Sequence, residues 1–117
     1  MNFALAATLA FFCHETTLVS NTNVTIHRFQ LQSDCQTALE ELHKTKNLFY
    51  CDGAQLFNAL YGQSHLMNFA ADCRQAIVEA EKHNGYYCYE RGMFNWMNIN
   101  VASFYFRSEC REHLPTF

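Results

Sequence analysis

The sequence predicts an all-α fold of about five helices, drawn from three repeats of about 37 residues and crosslinked by disulfides into a bundle or short solenoid. Three observations lead there. Cys13, Cys35, Cys51, Cys73, Cys88 and Cys110 recur with offsets of 38, 38, 37 and 37 between every second cysteine, as a duplicated unit would space them. Only four Gly and one Pro interrupt 117 residues, which favours helices over a turn-rich β-sandwich. Apolar residues also fall at helical spacing between the cysteines. The chain is read as a single domain with units 11–48, 49–85 and 86–117, and residues 1–12 are either a signal remnant or a partial repeat.

Residues 3–12 are apolar enough for a signal h-region, but no Lys or Arg precedes them and His14-Glu15 breaks the apolar run. The run is too short to span a bilayer. Phe11-Phe12-Cys13 aligns with Phe49-Tyr50-Cys51 and Tyr86-Tyr87-Cys88, which places this segment within the repeat. Leu18, Leu56 and Met93 share a further column, as do Phe29, Met67 and Phe104. Residues 21–26, rich in Asn and β-branched side chains, favour a loop or extended piece. Ser33-Asp34-Cys35-Gln36 has capping-box form, so a helix is expected there with Ala38, Leu39, Leu42 and Phe49 inward. Leu56, Leu60, Met67 and Ala70 form a second stripe with Gly62 as a kink. Asp72 caps the next helix, whose inward residues are Ala76, Ile77, Ala80 and Tyr87. Met93, Trp96, Met97, Val101, Phe104 and Tyr105 make a last helix, apolar almost all round and therefore central or cavity-lining.

Six cysteines, none in a C-x-x-C pair, fit a disulfide framework and hence an extracellular, secreted chain; the alternative is a cytosolic protein with reduced thiols. All six are disulfide candidates. Two cysteines 22 apart on one helix would lie about 33 Å apart, so bonds are expected between neighbouring units. Neither a helical-hairpin nor a three-helix arrangement pairs all six, and the caps favour the hairpin form. Asn23-Val24-Thr25 is an N-glycosylation sequon, making Asn23 a modification candidate in a secreted chain.

A net charge of −3 with scattered Lys and Arg argues against nucleic-acid binding. His27 and His65 occupy one repeat column, but eight residues before a cysteine is not metal-ligand spacing, so neither a metal nor a cofactor is expected. Catalytic motifs such as G-x-S-x-G or H-E-x-x-H do not occur, and the leading expectation is a non-enzymatic binding or interaction protein. The first alternative is a carrier of a small apolar, lipid- or sterol-like ligand, lined by Met93, Phe94, Trp96, Met97, Phe104 and Tyr105. The same residues could instead meet a protein partner, and self-association is open. The second alternative is a small hydrolase using a Cys or His.

The stretch from Cys88 to Cys110, with Phe106 four residues before its second cysteine, resembles insect secreted helical proteins of the tsetse midgut EP type. Cys51 to Cys73, with Phe69, repeats the pattern. That resemblance implies secretion and a binding role. Cys73, Cys88 and Cys110 are also spaced roughly as in elicitins, which are helical sterol binders.

Overall fold

A computed structural model describes residues 10–61 and 63–115, and within them the fold is β-rich. Three antiparallel three-stranded sheets, each followed by a helix, replace the expected all-α bundle or solenoid. The chain divides into two compact units, Met1–Lys44 and Thr45–Phe117. The reading of residues 1–12 as signal or partial repeat lies outside the described residues up to position 9, and the Gly62 kink lies outside them as well.

In the first unit, β1 (Phe11–His14), β2 (Thr17–Ser20) and β3 (Thr25–Arg28) form a meander that leads into α1 (Gln32–Lys44). The Asn-rich stretch at 21–26 becomes a tight turn and the start of β3, as its residues favour. Phe11, Leu18, Phe29, Cys35, Ala38 and Leu42 are the buried set. So small a unit buries too little apolar surface to stand easily by itself. The Cys13–Cys35 disulfide ties β1 to α1.

The second unit carries the same order twice. First come β4 (Phe49–Asp52), β5 (Gln55–Asn58), β6 (His65–Leu66) and α2 (Ala70–Lys82). Then come β7 (Tyr87–Tyr89), β8 (Gly92–Phe94), β9 (Asn100–Ser103) and α3 (Arg107–Glu112). Its core joins Phe49, Leu56, Met67, Cys73, Ala76, Ile77, Ala80 and Tyr87, with Trp96 and Phe94 packed against it. Burying a side chain such as Leu56 completely contributes about 1.5–3 kcal/mol.

Register is the same in each sheet. Cys13 faces Leu18, Cys51 faces Leu56 and Cys88 faces Met93, so the cysteine always sits beside the buried residue of the central strand. The two-residue turns between first and second strands use a left-handed residue at one column: Glu15, Gly53 and Glu90, with φ of 57°, 62° and 54°. Such a residue gives the chain the reversal that a right-twisted hairpin needs.

This meander resolves the cysteine conflict. Each disulfide joins the first strand to the helix of its own segment: Cys13–Cys35, Cys51–Cys73 and Cys88–Cys110, each 22 residues apart. The Cα separations are 6.2, 6.1 and 6.1 Å. The expectation that such pairs lie far apart holds only for a continuous helix. Two chain reversals bring the ends together, so the bonds do not stitch neighbouring units.

Helices α1 and α2 do carry the buried stripes Ala38-Leu42 and Ala76-Ile77-Ala80. Phe49 and Tyr87, read as their continuations, belong to β4 and β7. The stripe from Met93 to Tyr105 is not a helix. It is β8, a turn and β9, because Asn98 adopts φ 60° and reverses the chain. The caps also differ: Ser33 lies in the first turn of α1, and Phe69, not Asp72, precedes α2 without a side-chain cap. Before α3, the Phe106 amide donates to Glu109 Oε1 at 2.9 Å. At the end of α2, Asn84 is left-handed and the Gly85 amide donates to the Ala80 carbonyl at 2.8 Å, closing a Schellman motif. Gly85 itself has φ 95°, and a Cβ there would meet Trp96 Cβ at 3.0 Å.

Candidate functional site

A cleft of about 670 Å³ opens in the second unit between β6, the β7–β8 turn and β9. The β6 strand supplies His65 and Leu66, and Asn68 lies just beyond it. The β7–β8 hairpin supplies Tyr89, Glu90, Arg91, Gly92 and Phe94, and the β9 side adds Asn100, Ser103, Phe104 and Tyr105. A smaller cavity of about 360 Å³ shares Asn68, Tyr89 and Glu90 with it and is otherwise walled by Phe69, Cys88 and residues of α2 and α3. There Glu79 is already engaged: Oε1 accepts from the Cys88 amide at 2.7 Å, and Oε2 accepts from Arg111 Nε at 3.1 Å.

The wall of the larger cleft rests on a buried polar relay. Asn98 Nδ2 donates to the carbonyls of Leu56 and Gln63, both at 3.1 Å. Its Oδ1 accepts from the Tyr87 hydroxyl at 2.7 Å. Burial pushes the Tyr87 phenol well above its ordinary range, so it keeps that proton. With the proton given to Asn98, the Tyr87 oxygen can only accept from His65 Nδ1, 2.8 Å away. His65 is therefore held in the Nδ1–H tautomer, and Nε2 is the acceptor. No buried side-chain polar atom among the described residues lacks a partner, and Nε2 has no protein partner there, so it reaches solvent. Burial lowers the His65 pKa, and the Glu90 carboxylate partly opposes this. The ring is packed by Phe94 at 4.2 Å and Tyr89 at 5.2 Å between centroids.

Around the cleft the hydrogen bonds fix its polar edges. The Tyr89 hydroxyl accepts from the Asn68 amide at 2.8 Å, and Asn68 Nδ2 reaches Glu90 Oε2 at 3.5 Å. Ser103 Oγ donates to Asn100 Oδ1 at 3.4 Å. Gly92 makes the floor: a Cβ would come within 2.6 Å of Asn100 Nδ2 and 3.1 Å of the Phe94 ring. Two exposed apolar side chains line the cleft, Leu66 at 71% exposure and Tyr105 at 83%; Phe69, 69% exposed, lines the smaller cavity, and Phe106, 67% exposed, follows Tyr105 in the chain.

The residues expected to line an apolar site scatter. Met93 is buried in a small cluster with Cys88, Cys110 and Leu114. Trp96 packs on the main core and edge-on to Tyr86, and neither cavity is lined by it or by Met97. Only Phe94, Phe104 and Tyr105 reach the cleft. The aromatic pairs before the loop cysteines are mostly core: Phe49, Tyr50 and Tyr87 are buried, whereas Phe12 is exposed. Asn23 lies in an exposed turn with φ 66°. His27 and His65 hold equivalent positions, opposite Leu18 and Leu56, yet only His65 lines the cleft. His83 instead binds the Pro115 carbonyl through Nδ1 at 2.8 Å. All six cysteines are bonded, so a Cys–His pair has no thiol to use. Among the described residues no group of three or more His, Cys, Asp or Glu converges to hold a metal.

Glu90, Asn68 and the Asn98 relay escape sequence reasoning. The hairpin signal Asp52-Gly53 and the aromatic run before each cysteine could have revealed the strands. The relay leaves no such signal, because its partners lie up to 42 residues apart. Comparison of the chain with protein-family models, with curated proteins and with solved structures returns no match, and none bears on the resemblance to tsetse midgut proteins.

Proposed function

We propose that the chain is a secreted, non-enzymatic binding protein whose recognition surface is the larger cleft of the second unit. The observation that carries this reading is a cleft with a relay-held wall whose lining includes the exposed side chains of Leu66 and Tyr105, with exposed Phe106 next to Tyr105 in the chain. Exposed aromatic and aliphatic side chains grouped around a concavity are what recognition sites present. Three disulfides fit an extracellular protein, and no helix among the described residues is long and apolar enough to cross a membrane. A carrier of apolar ligands has less support, since Trp96 and Met93 fill core space and polar side chains edge the cleft.

Two measurements test this. Non-reducing peptide mapping of the native protein should find Cys13–Cys35, Cys51–Cys73 and Cys88–Cys110; free thiols would remove the case for secretion. Fluorescently labelled protein should bind cell surfaces, and Tyr105→Ala with Phe106→Ala should weaken that binding while leaving the fold intact. Binding indifferent to both substitutions would refute the assignment of the surface.

A further inference from the structure

The chemistry of the cleft narrows its ligand. Aromatic surface comes from Tyr89 and Tyr105, the latter almost fully exposed as a platform, while Phe94 is stacked on Tyr87 and packed against His65. Between them stand groups with hydrogen-bonding capacity left over: the Asn68 and Asn100 amides, the Ser103 hydroxyl and His65 Nε2. The cleft has one carboxylate, Glu90, and one guanidinium, Arg91, adjacent in the chain and opposite in sign. An anion meets Glu90 and a cation meets Arg91, so neither charge is favoured. A lipid tail would leave the amides and His65 Nε2 desolvated without partners, which is unfavourable for each. A neutral ligand is favoured, with one apolar face and a hydroxyl-rich edge. Pyranose rings have that form: axial C–H groups lie flat on an aromatic face, and equatorial hydroxyls point to side-chain amides and carboxylates.

We propose that this cleft binds a neutral saccharide, stacked on Tyr105 and hydrogen-bonded through its hydroxyls to Asn68, Glu90, Asn100 and His65. The inference rests on the cleft being the recognition surface, and it adds the ligand class. Arg91 and Glu90 then act as hydrogen-bond donor and acceptor toward the sugar hydroxyls. His65 Nε2, held as an acceptor by the Asn98–Tyr87 relay, accepts a hydrogen bond from a further hydroxyl.

The test is titration of the full-length, disulfide-bonded chain by two-dimensional NMR. The probes are chitotriose, cellotriose, maltotriose and mannotriose, each to about 20 mM, with a heparin-derived tetrasaccharide as the anionic comparison. At least one neutral trisaccharide should give saturable shifts confined to His65, Leu66, Asn68, residues 89–92, Phe94 and residues 100–105. Tyr105→Ala should weaken that binding about tenfold or more. Asn68→Ala should weaken it too, while Val24→Ala, in the other unit, leaves it unchanged. No saturable shift with any neutral sugar overturns the proposal, as does tighter binding of the anionic one. If cell binding remains sensitive to Tyr105 and Phe106 in that case, only the ligand class falls; if it is insensitive, the recognition surface falls as well.

Discussion

Replacing Asn98 by Ala removes the centre of the second unit's polar relay, and its cost can be worked out from the contacts. The Leu56 carbonyl loses its donor in a buried setting, which costs about 1–3 kcal/mol. The Gln63 carbonyl is half-buried and water can reach it, so its loss costs less. The Tyr87 hydroxyl loses its acceptor but can turn its proton to His65 Nδ1, provided the imidazole moves its own proton to Nε2. Alanine at φ 60° adds about 1 kcal/mol beyond asparagine. The sum is about 3–5 kcal/mol, a large share of the stability of a small domain. Asn98→Gly keeps the backbone freedom and should lose about 1 kcal/mol less. Asn98→Asp, which sets a carboxylate against two carbonyls, should lose at least as much as alanine. Urea unfolding with the disulfides intact, followed at Tyr87 and Trp96 signals, measures the loss. The nitrogen shifts of His65 report the tautomer directly. A loss under about 1 kcal/mol, or a His65 ring that keeps its Nδ1 proton in Asn98→Ala, would refute the relay.

Two further outcomes are expected. Opening one 22-residue disulfide loop by paired Cys→Ala substitution should cost about 3 kcal/mol, and Cys13→Ala with Cys35→Ala should unfold the first unit outright, as circular dichroism of that variant would show. His65 is kept neutral by burial, so its folded pKa lies below the ordinary value of about 6.5 and the unfolded chain takes up the proton first. Stability should therefore fall as pH drops through about 6.5 toward the lower folded value; His65→Gln should flatten that slope, and equal slopes in both proteins would count against it.

The equivalent columns of the chain are legible in residue spacing alone. Leu18, Leu56 and Met93 group by that spacing, as do Phe29, Met67 and Phe104, and the first three are the buried residues opposite the cysteines. The short helices after Cys35 and Cys73 are also legible, because Ala38-Leu42 and Ala76-Ala80 place apolar residues one turn apart. The strands are not. Segments of three or four residues such as Gly92-Met93-Phe94 are too short to show a period, and apolar residues continuing past the turn at Asn98 imitate a helical stripe. Spacing alone determined that six cysteines form a regular frame, yet distance along the chain says nothing of distance in space once the chain reverses. Tertiary structure decided that the first, third and fifth cysteines each pair with the next one along the chain. It also brought His65, Tyr87 and Asn98 into one relay and set Tyr105 and Asn68 in one cleft. The reason is physical: hairpins fold remote positions onto one another, and a site made by such approach leaves no local trace in the order of residues.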